Sequence, residues 1–184
     1  MIRYAKPSDA AQILDIYAPV IQHTAITFET AIPDSEQFAA RIERITRFYP
    51  FLVWEENGVI RGYCYATRYR ERAAYDWICE AAIYVASSKL RSGIGKKLYD
   101  KLFECLRAQG LVSVIGVIRP SEKSVKFHEA MGFKCVGVIP YAGHKFDEWH
   151  EAGFWQLVLV DSVPQNPPPV LPFPEVRAKI KLNE

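Results

Sequence analysis

Glu80 is the only charged residue in the apolar run ICEAAIYV, which spans residues 78–85. A carboxylate in such a run must face solvent, form an ion pair or line a cleft, and burial in a cleft raises its pKa towards the range of a general base. A strand-edge glutamate that pairs with an arginine is the alternative. His128 is a second candidate because imidazole titrates near neutrality, although a single histidine in a helix is usually structural. Glu80 and His128 are therefore the two candidates for proton transfer.

The segment RSGIGKK places Gly93 and Gly95 immediately ahead of a basic, amphipathic run. The first N–H groups of a helix lack partners, and glycines let a phosphate approach them closely, so this turn is a candidate anion site. A dinucleotide-binding fingerprint needs a third glycine where the chain has Leu98. A P-loop needs glycine, and later Ser or Thr, where it has Leu90 and Lys97. Both motifs are excluded, and a glycine-started helix that binds nothing is the remaining alternative.

Arginines alternate in the segment TRYRERAAYDW, at Arg68, Arg70 and Arg72. An extended backbone directs alternate side chains to one side, and guanidinium groups bind carboxylates in a bidentate manner. The pattern therefore suits an amino-acid substrate, although for Arg68 a solvated surface position is the favoured interpretation. His144 and His150, in HKFDEWH, match no strong zinc motif, so we expect no metal.

These candidates lie along a pattern of strands and helices that predicts one α/β domain with a mixed sheet. The predicted elements are a strand in MIRYA, a helix that begins at Ser8, a helix over residues 34–48, a hairpin around Asn57-Gly58 in residues 51–67, a strand in DWICEAAIYVA, a helix over residues 93–109, a strand in LVSVIGVI, a helix over residues 121–131, and strands in FKCVGVIPY and GFWQLVLV. Beyond a domain of residues 1–160, residues 161–184 are proline-rich and predict an extended C-terminal arm. The arm either lies on its own surface or serves as a recognition peptide.

The length, net charge and composition of the chain argue against several classes of protein. A net charge of +2 over 184 residues gives no electrostatic case for nucleic acid as the main partner. The longest apolar run, LVSVIGVI, is far shorter than the roughly 20 residues of a membrane-spanning helix. The start, MIRYAKPSDAAQ, has no apolar signal-peptide core, and the four scattered cysteines fit reduced, buried thiols better than a disulfide framework. We therefore expect a cytoplasmic protein with no membrane partner.

The order of these motifs resembles the GNAT superfamily of acetyl-coenzyme A-dependent N-acetyltransferases. RSGIG after a strand is similar to its pyrophosphate-binding turn, and SVKFHEAMGF is similar to its closing helix with Gly-Phe before a strand. The resemblance covers residues 2 to about 160, and implies a mostly antiparallel mixed sheet flanked by helices. Within the superfamily, ITFET, YPFLVWEENGVIRGYCYA, AYDW, EAAIYV and GFWQL are most similar to phosphinothricin and methionine sulfoximine N-acetyltransferases, a subgroup that commonly forms homodimers.

The resemblance implies that acetyl-CoA is the co-substrate and that Glu80 is the general base, acting through water. His128 stands where many relatives have a tyrosine that protonates the departing thiolate; acid, second base and structural residue all remain open for it. The chain departs from the family pattern at Leu90, where relatives have Gln or Arg, and at Ser121, where relatives often have Asn. The implied coenzyme A contacts are Ile83, Tyr84, Val85, Leu90, Arg91, Ser92, Gly93, Ile94, Gly95, Lys96, Ser121, Ser124 and Phe127. Among them, the backbone of residues 83–85 is expected to pair with the pantetheine amides.

The resemblance also assigns Arg70 and Arg72 to the substrate's acidic groups, and Phe28 and Tyr75 to the pocket wall. The expected reaction is direct attack, within a ternary complex, by the α-amine of a small amino-acid-like substrate such as phosphinothricin or methionine sulfoximine or sulfone. Acetylation of a peptide N-terminus, a polyamine or an aminoglycoside is the first alternative, although arginines repel polycationic amines. A non-catalytic acyl-CoA-binding sensor is the second.

Overall fold

One seven-stranded mixed sheet organises the chain, and the computed structural model describes residues 1–182 of it. The strands are β1 (Ile2–Tyr4), β2 (Phe51–Glu56), β3 (Val59–Arg68), β4 (Ile78–Val85), β5 (Ser113–Ile118), β6 (Lys134–Lys145) and β7 (Glu148–Val158). They lie in the order β1-β2-β3-β4-β5-β7-β6. Within these strands every neighbouring pair is antiparallel except β4 and β5, which run parallel.

Five helices flank the sheet in residues 1–182, and the first four begin at or next to the predicted positions. They are α1 (Ala10–His23), α2 (Ser35–Thr46), α3 (Ile94–Gln109), α4 (Glu122–Ala130) and the short α5 (Phe173–Val176). Asp34 caps α2 through a reciprocal capping box with Gln37, and Ser121 caps α4. Ser8 does not cap α1, because it lies inside a preceding 3-10 turn, Pro7–Asp9.

The two faces of the sheet carry different helices. Side chains of β3 alternate between them: Cys64 contacts Leu98 of α3, whereas Tyr65 lines a cavity beside α2. On the α1–α2 side, Tyr17 of α1 packs on Tyr84 of β4 at a ring-centroid distance of 4.8 Å. Helices α1 and α2 therefore pack on one face of the sheet, and α3 packs on the other.

Strands β4 and β5 are hydrogen-bonded over only part of their length. Their pairing runs from Ile78 opposite Ser113 to Ala81 opposite Gly116, and β4 then continues for four more residues. Those four residues, 82–85, remain paired with β3 on their other side. Within the described chain, the β5-facing edge of this segment therefore has no strand partner, and it is available to an extended ligand.

The two hairpins differ in how well the sequence predicts them. Asn57 and Gly58 both have positive φ angles, 52° and 78°, so the predicted tight turn between β2 and β3 is confirmed. The last hairpin is longer than predicted: β6 runs on to Lys145 and β7 begins at Glu148. Only the ends of these strands next to the turn are not predicted, because the stretch HKFDEWH alternates charged and apolar residues on an exposed hairpin and contains no apolar run.

The proline-rich segment folds back on the domain and is not extended throughout. The Trp77 indole donates to the Pro168 carbonyl at 2.7 Å, and the Gln109 amide donates to Leu171 at 2.9 Å. Downstream, α5 buries Phe173 and Val176 against Cys105 of α3. The part of the arm that the structure describes therefore lies on its own domain; residues 183 and 184 lie outside the described range.

Candidate active site

The turn before α3 has the backbone conformation of an anion site. Arg91 and Gly93 have positive φ angles of 64° and 84°, and Gly93 is the residue from which the helix begins. No side chain in residues 1–182 caps this terminus, and the Ser92 hydroxyl instead donates to the Lys89 carbonyl at 2.6 Å. The first N–H groups of a 16-residue helix are therefore turned outward without a protein acceptor.

Gly95 allows three elements to meet at this terminus. A Cβ on Gly95 would lie 3.2 Å from the ring of Phe127 in α4 and 3.7 Å from Cδ1 of Ile83 in β4. The absence of a side chain at Gly95 thus lets the helix start sit close to the unpaired edge of β4. Three of the residues predicted to bind coenzyme A converge at one place.

The remaining predicted coenzyme A residues belong to the same three segments, which are β4, the turn into α3, and α4 with its N-terminal cap. Tyr84 points to the α1–α2 face, whereas Ile83 points to α3, so the edge of residues 83–85 presents mainly backbone to the cleft. The Ser121 hydroxyl accepts the Ser124 backbone N–H at 3.4 Å. Leu90 is 61% exposed, and Lys96 pairs with Asp100 at 2.7 Å. The chain's side chains and free N–H groups here fit a pyrophosphate followed by an extended amide chain.

Glu80 lines a cavity of about 280 Å³ on the α1–α2 face. Burial raises the pKa of Glu80 above its ordinary value of 4.5, and the positive charge of Arg70 opposes that rise. The cavity is lined by Glu29, Arg41, Arg44, Ile45, Tyr65, Thr67, Glu80, Ala81 and Ala82. It meets β4 where the pairing of β4 with β5 ends, so Glu80 lies beside the unpaired edge.

His128 is buried on the opposite side of the sheet. Its Nδ1 lies 2.8 Å from the Ser124 carbonyl, which only accepts, so Nδ1 carries a proton. Its Nε2 lies 3.3 Å from the Tyr99 hydroxyl, and burial lowers the pKa of the imidazole below 6.5. The neutral ring therefore donates through Nδ1 and accepts from Tyr99 through Nε2. This arrangement favours the structural alternative for His128.

None of the four predicted substrate residues lines the cavity. The Phe28 ring stacks on the His150 ring at a centroid distance of 6.2 Å. The Tyr75 ring packs edge-on to the Tyr69 ring at a centroid distance of 5.8 Å. Arg70 and Arg72 are exposed, and the Arg70 guanidinium lies 5.0 Å from the Tyr69 ring centroid.

Arg68 pairs with Asp76, which agrees with its assignment to the surface. The loop arginines thus stand outside the cavity that holds Glu80.

Sequence reasoning missed the cations that line the cavity. Arg41 and Arg44 are three residues apart on α2, so they share a helix face. The two terminal guanidinium nitrogens of Arg41 donate hydrogen bonds to the two carboxylate oxygens of Glu29, at 2.7 and 3.3 Å. The only signal in the sequence is the i, i+3 spacing of two arginines in a helix whose apolar stripe includes Ile42 and Ile45, and such a signal is ordinary for a solvated helix face.

Residues 1–182 contain no group of three His, Cys, Asp or Glu side chains arranged to hold a metal ion. In the same range, none of the helices is both long and apolar enough to cross a membrane.

Comparisons with known proteins agree with this geometry. Residues 2–152 match the family model of the acetyltransferase (GNAT) domain. The chain is 37% identical over 176 residues to a phosphinothricin N-acetyltransferase of Streptomyces viridochromogenes, covering 95% of each protein. It is 33% identical to an L-methionine sulfoximine/L-methionine sulfone acetyltransferase of Salmonella typhimurium, covering 86% of this chain and 94% of that relative.

A solved structure extends the likeness to three dimensions. The chain superimposes with a TM-score of 0.86 on a GNAT superfamily phosphinothricin acetyltransferase of Sinorhizobium meliloti in complex with acetyl-CoA. The two are 31% identical, and the match covers 91% of this chain and 92% of the other. The predicted fold is confirmed, and the chain belongs to the GNAT family of acetyltransferases.

Proposed function

We propose that the protein transfers the acetyl group of acetyl-CoA to the α-amine of a small amino-acid-like substrate. The observation that most directly supports this proposal is the position of Glu80. Its half-buried carboxylate has a raised pKa and lines a cavity beside the unpaired edge of β4. The relatives that share most of the chain are named for phosphinothricin and for methionine sulfoximine and sulfone. These compounds and similar amino acids are the substrate class.

The residues divide into a coenzyme side and a substrate side. The N–H groups at the start of α3, with Gly93 and Gly95, would hold the pyrophosphate of acetyl-CoA, and the edge of residues 83–85 would pair with its pantetheine amides. Acetyl-CoA supplies a thioester that is activated for attack by an amine. On the substrate side, Arg70 and Arg72 would meet acidic groups, and Phe28 and Tyr75 would form the rim of the cavity.

Glu80 would remove the proton that keeps an α-amine non-nucleophilic at neutral pH. A carboxylate of raised pKa is a better proton acceptor than one in water, and the cavity volume leaves room for a relaying water molecule.

Direct attack is favoured because no cysteine lines the described cavity. Burial raises the pKa of the thiols of Cys79 and Cys105, so neither is an activated nucleophile.

A thiol-release assay with acetyl-CoA tests the function. Phosphinothricin, methionine sulfoximine and methionine sulfone are compared with a peptide, a polyamine and an aminoglycoside. Turnover with the amino acids is expected, and turnover confined to the other amines would refute the amino-acid assignment. Tight acetyl-CoA binding without turnover of any amine would instead indicate a sensor.

We propose further that two copies associate through β6. This strand is at the edge of the sheet and exposes Val136, Val138, Ile139 and Tyr141, and an open apolar edge is a template for pairing. Light scattering after size exclusion should give a dimer for the wild type and a monomer for Val138→Lys. Val59→Lys is the matched control, since Val59 is 41% exposed and Val138 44%. A wild-type monomer would contradict the proposal.

We propose that the protein is cytoplasmic, because of the state of its thiols. All four cysteines are free, and three of them are buried, which suits a reducing compartment. Fractionation of the producing cells should recover the protein with cytoplasmic markers, and recovery outside the cell membrane would contradict this location.

A further inference from the structure

Two arginines line the cavity beside Glu80, and only one of them has a protein partner among residues 1–182. The Arg41 guanidinium forms a bidentate ion pair with the Glu29 carboxylate, whose side chain also lines the cavity. Arg44 lines the same cavity, but it makes no hydrogen bond or ion pair with any residue from 1 to 182. Arg44 is exposed, and within that range its guanidinium has no direct protein partner.

The geometry of an amino acid ties the position of its carboxylate to that of its amine. Both groups are attached to the same carbon, so an amine held near Glu80, directly or through one water molecule, keeps the carboxylate in or at the mouth of the same cavity. Among the described residues, Arg41 and Arg44 are the arginines that line this cavity, and the cavity contains no lysine. Because Arg41 already binds a carboxylate of the protein, Arg44 is the cation left for a carboxylate of the substrate.

We infer that Arg44 binds the α-carboxylate of the amino-acid substrate; this inference rests on the function proposed above. Arg70 and Arg72 are on an exposed loop and do not line the cavity, although the charge of Arg70 acts on Glu80. We assign them to an acidic group farther along the side chain, in those substrates that carry one. With this assignment, Arg44 on α2 binds the α-carboxylate, which all amino acids share, and the side chain of the substrate can vary.

The test varies Arg44 and the carboxylate together. Steady-state kinetics are measured for the wild type, Arg44→Ala and Arg44→Lys. The amine substrates are methionine sulfone and its decarboxylated analogue, 3-(methylsulfonyl)propylamine. Arg47→Ala is the control on the same helix, because Arg47 is 75% exposed, pairs with Glu43 and does not line the cavity.

Loss of Arg44 should raise the KM for methionine sulfone by about 10- to 100-fold, the range of a charge-assisted hydrogen-bonded pair. The KM for acetyl-CoA and the kinetics of the decarboxylated amine should stay unchanged, and Arg44→Lys should recover part of the loss. Arg47→Ala should behave as the wild type.

An equal loss on both amines, or no change with methionine sulfone, would overturn the assignment of Arg44. A wild-type enzyme that acetylates no amino acid at all would instead refute the proposed function, so the two failures are distinguishable.

Discussion

Glu80 and His128 lie on opposite faces of the central sheet. In the pairing of β4 with β5, Glu80 is opposite Ile115 and Ala81 is opposite Gly116. Neighbouring residues of a strand point to opposite faces, and a Cβ on Gly116 would lie 3.1 Å from the His128 ring. His128 therefore shares the face of Ala81, and the sheet separates it from the Glu80 carboxylate. The two groups cannot form one proton relay through direct contact.

Glu80→Gln tests the assignment of the base. Glutamine keeps the shape and polarity of the side chain but cannot accept a proton, so kcat should fall by about 100-fold at neutral pH. The affinity for acetyl-CoA, measured by calorimetry, should be unchanged because Glu80 lies away from the start of α3. Unchanged turnover would remove Glu80 as the base.

Arg70 should set the acid limb of the pH profile. The base must be deprotonated, so activity is lost as the pH falls through the pKa of Glu80, which burial places above 4.5. Because the charge of Arg70 lowers this pKa, Arg70→Gln should move the acid limb of kcat/KM to higher pH.

The matched control for Arg70 is Arg72→Gln, on the same exposed loop. Its acid limb should stay at the wild-type position, whatever happens to KM. Equal movement of the limb in both variants would show that the effect is one of loop charge in general.

Gly93→Val should weaken acetyl-CoA binding by at least about tenfold. Gly93 has a φ of 84°, and a branched side chain there is strained and obstructs an approaching phosphate. Gly110→Val at the other end of α3 is the control, since its φ is 92° and its Cβ position is equally open. Both variants should lose stability, but only Gly93→Val should bind acetyl-CoA less tightly; equal affinities would refute the phosphate cradle.

His128 should make folding stability depend on pH. Its pKa is lowered below 6.5 in the folded protein, so the unfolded chain binds the proton more readily. Stability is therefore fully present above about pH 6.5 and falls as the pH decreases below it. Urea unfolding at several pH values should show this loss in the wild type.

In His128→Asn, that pH dependence should be smaller, and the free energy of unfolding at pH 7 should fall by about 1–3 kcal/mol through lost buried hydrogen bonds. His144→Asn, at an exposed position, should retain the wild-type dependence. If His128→Asn keeps the same pH dependence as the wild type, another group is responsible.

The sequence predicts the local elements because each carries its own signal. Three examples are the Asn57-Gly58 turn, the glycine turn before α3 and the Ser121 cap of α4. In each, the residue type strongly favours the conformation that the structure shows. The edge strand β6 is predicted only in part: residues 134–141 lie in the predicted strand FKCVGVIPY, whereas residues 142–145 lack the apolar alternation of a half-buried strand.

The composition of the cavity is not predictable from the sequence because it depends on which faces meet. Arg44 and Glu80 are brought together only by the packing of α2 on the sheet. The alternation of Arg70 and Arg72 in the sequence predicts a substrate contact, yet neither side chain lines the cavity. Likewise, helical spacing alone does not reveal that both ring nitrogens of His128 have partners.

The C-terminal segment is expected to be part of the folded domain, although its composition indicates a separate arm. Phe173 is 4% exposed, and its ring lies 5.3 Å from the ring of Tyr4. Phe173→Ala should therefore lower the free energy of unfolding by about 3 kcal/mol, the cost of truncating a buried aromatic side chain. Val163→Ala is the control in the same segment, since Val163 is 66% exposed and its truncation should cost less than about 0.5 kcal/mol. Chemical denaturation of both variants measures the difference, and equal stabilities would show that the segment is only loosely attached.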